Sequence, residues 1–407
     1  MATKVVASTD RPSAATLLAD PGDFSVVLGG PLFQLFRKAH LAGAGLELQV
    51  QRIIAVTVLS WLPLLLLSAA QGLALGPKVA VPFLQDIETQ ARFLLFVPLL
   101  VGAESIVHQR LRFVARQFLD RELIPEAAEA RFRAAIDSTI RLRNSVLAEV
   151  IMIAVVYIVG VQVVWRQTAL DVATWYATPG PEGNRLSLAG LWYLYFSLPL
   201  TQFLLLRWYY RLFIWTRFLW QTSRIDLALV PTHPDHTGGL GFLTLATSGF
   251  APLAVAHGAF VSAWIASRIF QHQGGLLDFK FVIGAIAVWV LLLFLAPFLV
   301  FSPQLARKRR EGERDYGPFA QRYSHEFDAK WVHPERPGDE PLLGTADIQS
   351  LADLANVYAI VRTMRTTPIT KQTILALLIP TLAPIAPLAL TMMPLGQLVK
   401  LLFGMLK

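Results

Sequence analysis

The sequence predicts an all-α fold, a polytopic transmembrane helix bundle of about seven spans with cytoplasmic helical extensions, and three observations predict it. Apolar runs centre on Ile53 to Leu75, Phe93 to Val107, Val146 to Trp165, Leu191 to Leu206, Phe242 to Ile269, Phe281 to Phe301 and Ile374 to Met393. Each reaches or approaches the roughly 20 residues of a spanning helix. The 407-residue chain is 54% hydrophobic and 16% charged, with mean hydropathy +0.50, whereas a soluble protein carries about a quarter charged residues. Finally, the basic residues fall in alternate loops.

The first 30 residues, with Ser8, Asp10, Pro12, Asp20 and Pro21, lack the basic stretch and apolar core of a cleaved signal peptide. From Pro31 to Leu41, apolar Leu32, Phe33, Leu35 and Phe36 alternate with Gln34, Arg37 and Lys38, which reads as a helix lying in the membrane interface. Glu104 interrupts the second run, so that span needs Ser105 to Val107 and Val114 to complete its crossing. His108 to Asn144 carries charges at helical spacing and breaks at Pro125, which predicts two helices joining the second and third spans. The loop from Arg166 to Ser187, rich in Pro and Gly, reads as turns. A charged helix from Pro303 to Trp331 is expected to extend the sixth span, followed by a Pro-rich turn. Then Thr345 is expected to cap a helix that places Ile348, Leu351, Leu354, Tyr358 and Val361 on one face. In the last run Pro380, Pro384, Pro387 and Pro394 remove backbone donors, which predicts a kinked element packed inside the bundle.

These readings divide the chain into a tail with an interfacial helix (1–50), spans one and two (51–107), cytoplasmic helices (108–144) and spans three and four (145–206). A cytoplasmic helix and loop (207–241), spans five and six (242–301) and a cytoplasmic helical region (302–371) come next. The remainder (372–407) is a seventh span or a re-entrant hairpin with an amphipathic tail.

Charge sets the orientation. Arg37, Lys38 and Arg52, then Arg110 to Arg143, then Arg207 to Arg224, then Arg307 to Arg310 lie on one side, while the opposite loops hold little more than Lys78 and Arg185. By the positive-inside rule the N-terminus is cytoplasmic. The net charge of +8 therefore reads as a topology signal and as contact with the lipid bilayer and its anionic phospholipid headgroups, not as a nucleic-acid footprint. With no cysteine, disulfides and thiolate sites are excluded. The unpartnered face of the 345–361 helix is expected to pack on other cytoplasmic helices or on a second copy in a homo-oligomer.

Ionisable groups at membrane depth usually mark a pathway, a partner or a relay. Glu104 lies in the second span, Glu149 just inside the third beside Arg141 and Arg143, and His257 near the middle of the fifth. The densest polar motif runs from Pro231 to Gly241: Pro-Thr-His-Pro-Asp-His-Thr-Gly-Gly-Leu-Gly. His233, Asp235 and His236 offer two imidazoles and a carboxylate to a divalent metal, with Glu104 and His108 one helical turn apart on the same side of the membrane. Alternatively, Gly238, Gly239 and Gly241 present backbone N–H groups to an anion at a helix N-terminus. The third reading is a rigid cap in which Thr232 and Asp235 satisfy free N–H groups. A second His and acid cluster, His325, Glu326, Asp328 and His333, alternates with Phe327 and Trp331 as a solvated face does.

The stretch Pro231 to Leu243, the segment Leu342 to Leu354 and the Pro-rich last run resemble a group of uncharacterised bacterial multi-pass membrane proteins with no established activity. The resemblance implies a bacterial inner membrane and brings no ligand residues. No H-E-x-x-H, Walker A, G-x-S-x-G or G-x-G-x-x-G sequence occurs, and no span carries an arginine ladder. The sequence thus leads to an integral membrane protein with a transport or channel role for an unidentified solute or ion. The competing expectations are a membrane-embedded enzyme, metal-dependent or headgroup-binding, and a membrane scaffold or assembly protein.

Overall fold

The computed structural model describes residues 24–27, 29–30, 48–165, 172–180, 184–271, 274–333 and 345–391. The expected interfacial helix at Pro31 to Leu41, the Pro-rich turn after His333 and the amphipathic tail after Leu395 lie outside these residues.

Side-chain caps or prolines set the start of several of the apolar helices. The first, α1, is Gln49–Ala70. Asp86 caps the second, α2, Ile87–Asp120, by accepting the Thr89 N–H, and Ser145 does the same for α4, Val146–Val155, through Ala148. Between them α3, Glu126–Arg143, meets α4 at a 46° bend after the turn at Asn144. α4 runs on as a π-helix, Val156–Trp165. Ser187 caps α5, Leu188–Thr222. The fifth apolar run is divided into α6, Leu240–Gly249, and α7, Ala251–Phe270, because Pro252 sits in the first turn of α7 where no donor is needed. α8, Leu276–Val332, continues the sixth run directly into the charged helix expected after it. α9, Asp347–Arg362, packs on that charged half with Val361 buried, and Ala346, not Thr345, occupies its cap position. Last comes α10, Lys371–Leu382, opened by a reciprocal Thr370 and Thr373 capping box.

Among the described residues five helices are long and apolar enough to cross a membrane, six if the bent α3–α4 pair is one span, and these apolar helices are compatible with an integral membrane protein. The expected count of seven crossings is not confirmed among the described residues. At twelve residues α10 is about 18 Å long, short of a hydrocarbon core of about 30 Å. Pro384 and Pro387 stop it from continuing, and a 3-10 turn, Ala386–Thr391, follows.

α10 packs one face, through Thr373, Leu377 and Thr381, against α6, α7 and α8, while Leu375 and Ile379 on its other face stay exposed, so it is not enclosed by the bundle as expected. Its contact with α7 is backbone on backbone: a Cβ built on Gly258 would lie 1.9 Å from the Thr381 carbonyl oxygen. Ser262 donates to the Pro384 carbonyl at 2.6 Å, so a neighbouring helix satisfies backbone next to the break.

The hydrophobic core runs the length of α2. Phe93, Phe96 and Leu100 are buried at one end, and Phe118 meets Phe132, Phe242 and Phe301 at the other. Around the start of α2, residues 172–180 of the turn-rich segment carry an aromatic cluster. Trp175, fully buried, donates Nε1 to Asp86 Oδ2 at 2.9 Å and packs edge-on against Phe83 and Tyr193. Arg92 bridges Glu88 and the Tyr193 hydroxyl. A short antiparallel pair, Ala177–Thr178 with Arg185–Leu186, closes this end.

Candidate functional site

Two polar assemblies stand out, one inside the bundle and one at the end where α2 stops. The inner assembly centres on Glu104 of α2, 6% exposed. Arg52 of α1 approaches its Oε2 at 2.8 Å, Arg211 of α5 its Oε1 at 2.8 Å, and Arg207 the same oxygen at 3.6 Å. Arg207 and Arg211 share a face because they are four residues apart on a helix. Arg207 also faces Glu149 of α4 at 3.8 Å. Four helices are thereby joined through charge, in surroundings where an unpaired ion is costly. The residues Phe24 to Val27, all buried, lie against this cluster. Arg211 donates to the Val27 carbonyl and Arg207 to that of Gly29, both at 3.3 Å. Arg143 donates to the Ser25 carbonyl at 2.9 Å, and His108 Nδ1 lies 2.9 Å from the Ser25 hydroxyl.

Glu104 and His108 thus engage arginines and the N-terminal segment, and Glu149 meets Arg207 while Arg143 turns to Ser25. His257 is satisfied locally. Its Nδ1 lies 2.7 Å from the Leu253 carbonyl, which only accepts, and its Nε2 lies 3.1 Å from the Tyr209 hydroxyl. The ring therefore carries its proton on Nδ1 and takes the tyrosine proton on Nε2.

The second assembly is built by the Pro231 to Gly241 loop, which Asp235 organises from within. One carboxylate oxygen accepts the N–H groups of Thr237 at 2.7 Å and Gly239 at 3.2 Å, and the other accepts that of Gly241 at 2.8 Å. His233 Nδ1 lies 2.9 Å from the same carboxylate. Gly238 and Gly239 hold φ of +65° and +100°, so the turn needs residues without a Cβ. Partial burial would raise the Asp235 pKa, but the three N–H donors and His233 outweigh it and hold the carboxyl below its ordinary value. His236 Nδ1 goes to the Thr363 hydroxyl at 2.9 Å, and Thr232 makes no cap here.

This geometry corrects two expectations. His233, Asp235 and His236 do not assemble as metal ligands, and among the described residues no group of three or more His, Asp or Glu is placed to hold a metal ion. The N–H groups of Gly239 and Gly241 do not wait for an external anion, because Asp235 already takes them. The His325 and His333 cluster stays on an exposed face, with His333 beside Asp328 at 3.2 Å.

What the loop does shape is an open cleft of about 470 Å³ between the end of α2, the start of α6 and the start of α10. Arg121, Asp235, Arg365, Thr370, Gln372 and Thr373 contribute its polar lining. Arg121, like Arg52, Arg207 and Arg211, escapes the sequence reading because it counts only as flanking charge, and Arg365 is not singled out there at all. The one available signal is that Arg207 and Arg211 repeat on one face of a helix that is otherwise apolar there.

Comparison with family models, with curated proteins and with solved structures finds no match for this chain.

Proposed function

We propose that the chain is a transporter or channel for a small solute in a bacterial inner membrane, with its N-terminus in the cytoplasm. The orientation is supported by the arginines that come after α2 and populate α3, the end of α5 and the second half of α8, which the positive-inside rule assigns to the cytoplasm. The loop cleft then opens to the cytoplasm.

The observation that carries the transport reading is α10. It is a half-length apolar helix, packed on three other helices, ended by prolines and starting at a polar cleft. Discontinuous helices of this kind form solute sites in membrane transporters, where irregular backbone is tolerated only if it lines a cavity or is buried in protein. The Glu104 cluster adds support, since charges retained within spans are expensive. The metal-dependent enzyme reading lacks convergent ligands among the described residues. Recognition of a lipid headgroup keeps support from the same cleft.

The test is electrical. Liposomes containing the purified full chain, adsorbed on a solid-supported membrane, should give a transient current when a transported ionic solute is stepped on. Flat traces across a panel of inorganic and organic anions and cations, indistinguishable from protein-free liposomes, contradict transport.

A further inference from the structure

We infer that the cleft between Arg121, Arg365 and the first turn of α10 is a binding site for a tetrahedral oxyanion, a phosphate or phosphoryl group. The inference rests on the transport reading only for the fate of the bound group. Three elements bring donors to one cavity. Arg121, just past α2, is held by its Nε on Gln117 Oε1 at 2.8 Å and lies over the Phe242 ring at 5.0 Å, and neither of its terminal nitrogens has an acceptor among the described residues. Arg365 is fixed by Nη2 on the Asp235 carbonyl at 2.8 Å and by its own N–H on the His236 carbonyl at 2.7 Å. Its Nε is shut off from solvent and out of reach of a ligand, which leaves Nη1, without an acceptor among the described residues, as the donor that Arg365 offers to the cleft. The third donor is the start of α10. The capping box takes the N–H of Thr373, and the N–H groups of Lys371 and Gln372, before the first intrahelical acceptor, remain where the helix dipole favours an anion.

Two guanidinium groups face one carboxylate in this lining, and that carboxylate is already occupied by three N–H groups. The cleft therefore favours negative charge. A planar carboxylate offers two oxygens and is filled by one guanidinium fork, whereas a phosphoryl group offers at least three and can meet donors from three directions. The source is either a soluble phosphorylated solute or a phosphate-bearing lipid headgroup.

Titration of the purified chain with inorganic phosphate, read by calorimetry, tests the site, with acetate and chloride as comparators. Phosphate should bind saturably and acetate at least about tenfold more weakly. Arg121→Gln removes one guanidinium, and Gln372→Glu sets a carboxylate in the cleft without deleting any contact. Each should weaken phosphate by at least about tenfold, while the ligand-free Gln372→Glu protein, with an acid in the first turn of α10, unfolds at or slightly above the wild-type temperature. Arg365→Gln is the weaker test, because Arg365 also fastens the Asp235 loop. Nanodiscs of phosphatidic acid against phosphatidylcholine separate the sources. Stabilisation by phosphatidic acid that is lost in both variants, with no binding of free phosphate, assigns the site to a headgroup. No binding of phosphate and no effect of phosphatidic acid overturns the proposal, as does binding that is equal in wild type and both variants or equal for acetate. Cleft-dependent binding with no current in liposomes leaves the site standing and removes transport. Cleft-dependent binding together with currents that are unchanged in both variants keeps the site and keeps transport, and separates the one from the other.

Discussion

Arg52 and Glu104 lie 2.8 Å apart at the centre of a charge cluster that joins α1 to α2, with Arg52 1% and Glu104 6% exposed. Removing one member of such a buried group strands the others. Glu104→Ala, which leaves three arginines without their shared carboxylate, is expected to cost about 3–5 kcal/mol. Thermal unfolding of the detergent-purified variant should show a large loss of stability, and an unchanged transition would mean that the cluster is hydrated.

Gly258→Ala should destabilise the protein even though alanine favours helix formation by up to about 1 kcal/mol. The new methyl would meet the Thr381 carbonyl oxygen at 1.9 Å, so α7 and α10 must separate. Overpacking of this kind costs about 1–3 kcal/mol. Gly284→Ala, in α8 with open space around its Cβ, is the control and should be neutral or stabilising.

Asp235 gives the loop a pH dependence with a definite sign. Its folded pKa is lowered, so its contribution is fully present above the ordinary carboxylate value of about 4 and is lost as pH falls through the folded value. The stability gap between wild type and Asp235→Asn should stay constant from about pH 5 to 7 and shrink below about pH 4. A gap that widens on acidification would contradict the assignment of Asp235 as the ionised acceptor of three N–H groups.

At the far end of α2, Asp86 both caps the helix and accepts from the indole of Trp175. Asp86→Ala should cost about 1–2 kcal/mol through the lost cap, and it should shift the emission of Trp175 as water reaches the ring. Intact emission with lost stability would confine Asp86 to the cap.

The apolar runs and the charge spacing after Ser302 made the long helices legible, including the continuation of α8 far beyond its apolar half. Hydropathy was misleading where proline acts. It gave the Ile374 to Met393 run the length of a span, although Pro384 and Pro387 end α10 early, and it joined α6 to α7 across Pro252. The site was less legible. Glu104 stood out as a costly charge, but its partners Arg52, Arg207 and Arg211 looked like ordinary flanking arginines, since a charge count carries no information on who faces whom. In the loop, the role of Asp235 as an acceptor of local N–H groups was one reading of its turn residues. The cleft itself joins Arg121 to Arg365, which are brought together only when α10 folds back on α6.

The most direct measurement is on the orientation that makes the cleft a cytoplasmic one. In this cysteine-free chain, Thr178→Cys and Asp315→Cys place single thiols at exposed positions beyond the start of α2 and on the charged half of α8. An impermeant thiol reagent applied to intact cells should label the first, and label the second only after the cells are opened. Labelling of Asp315→Cys in intact cells with protection of Thr178→Cys would contradict the account.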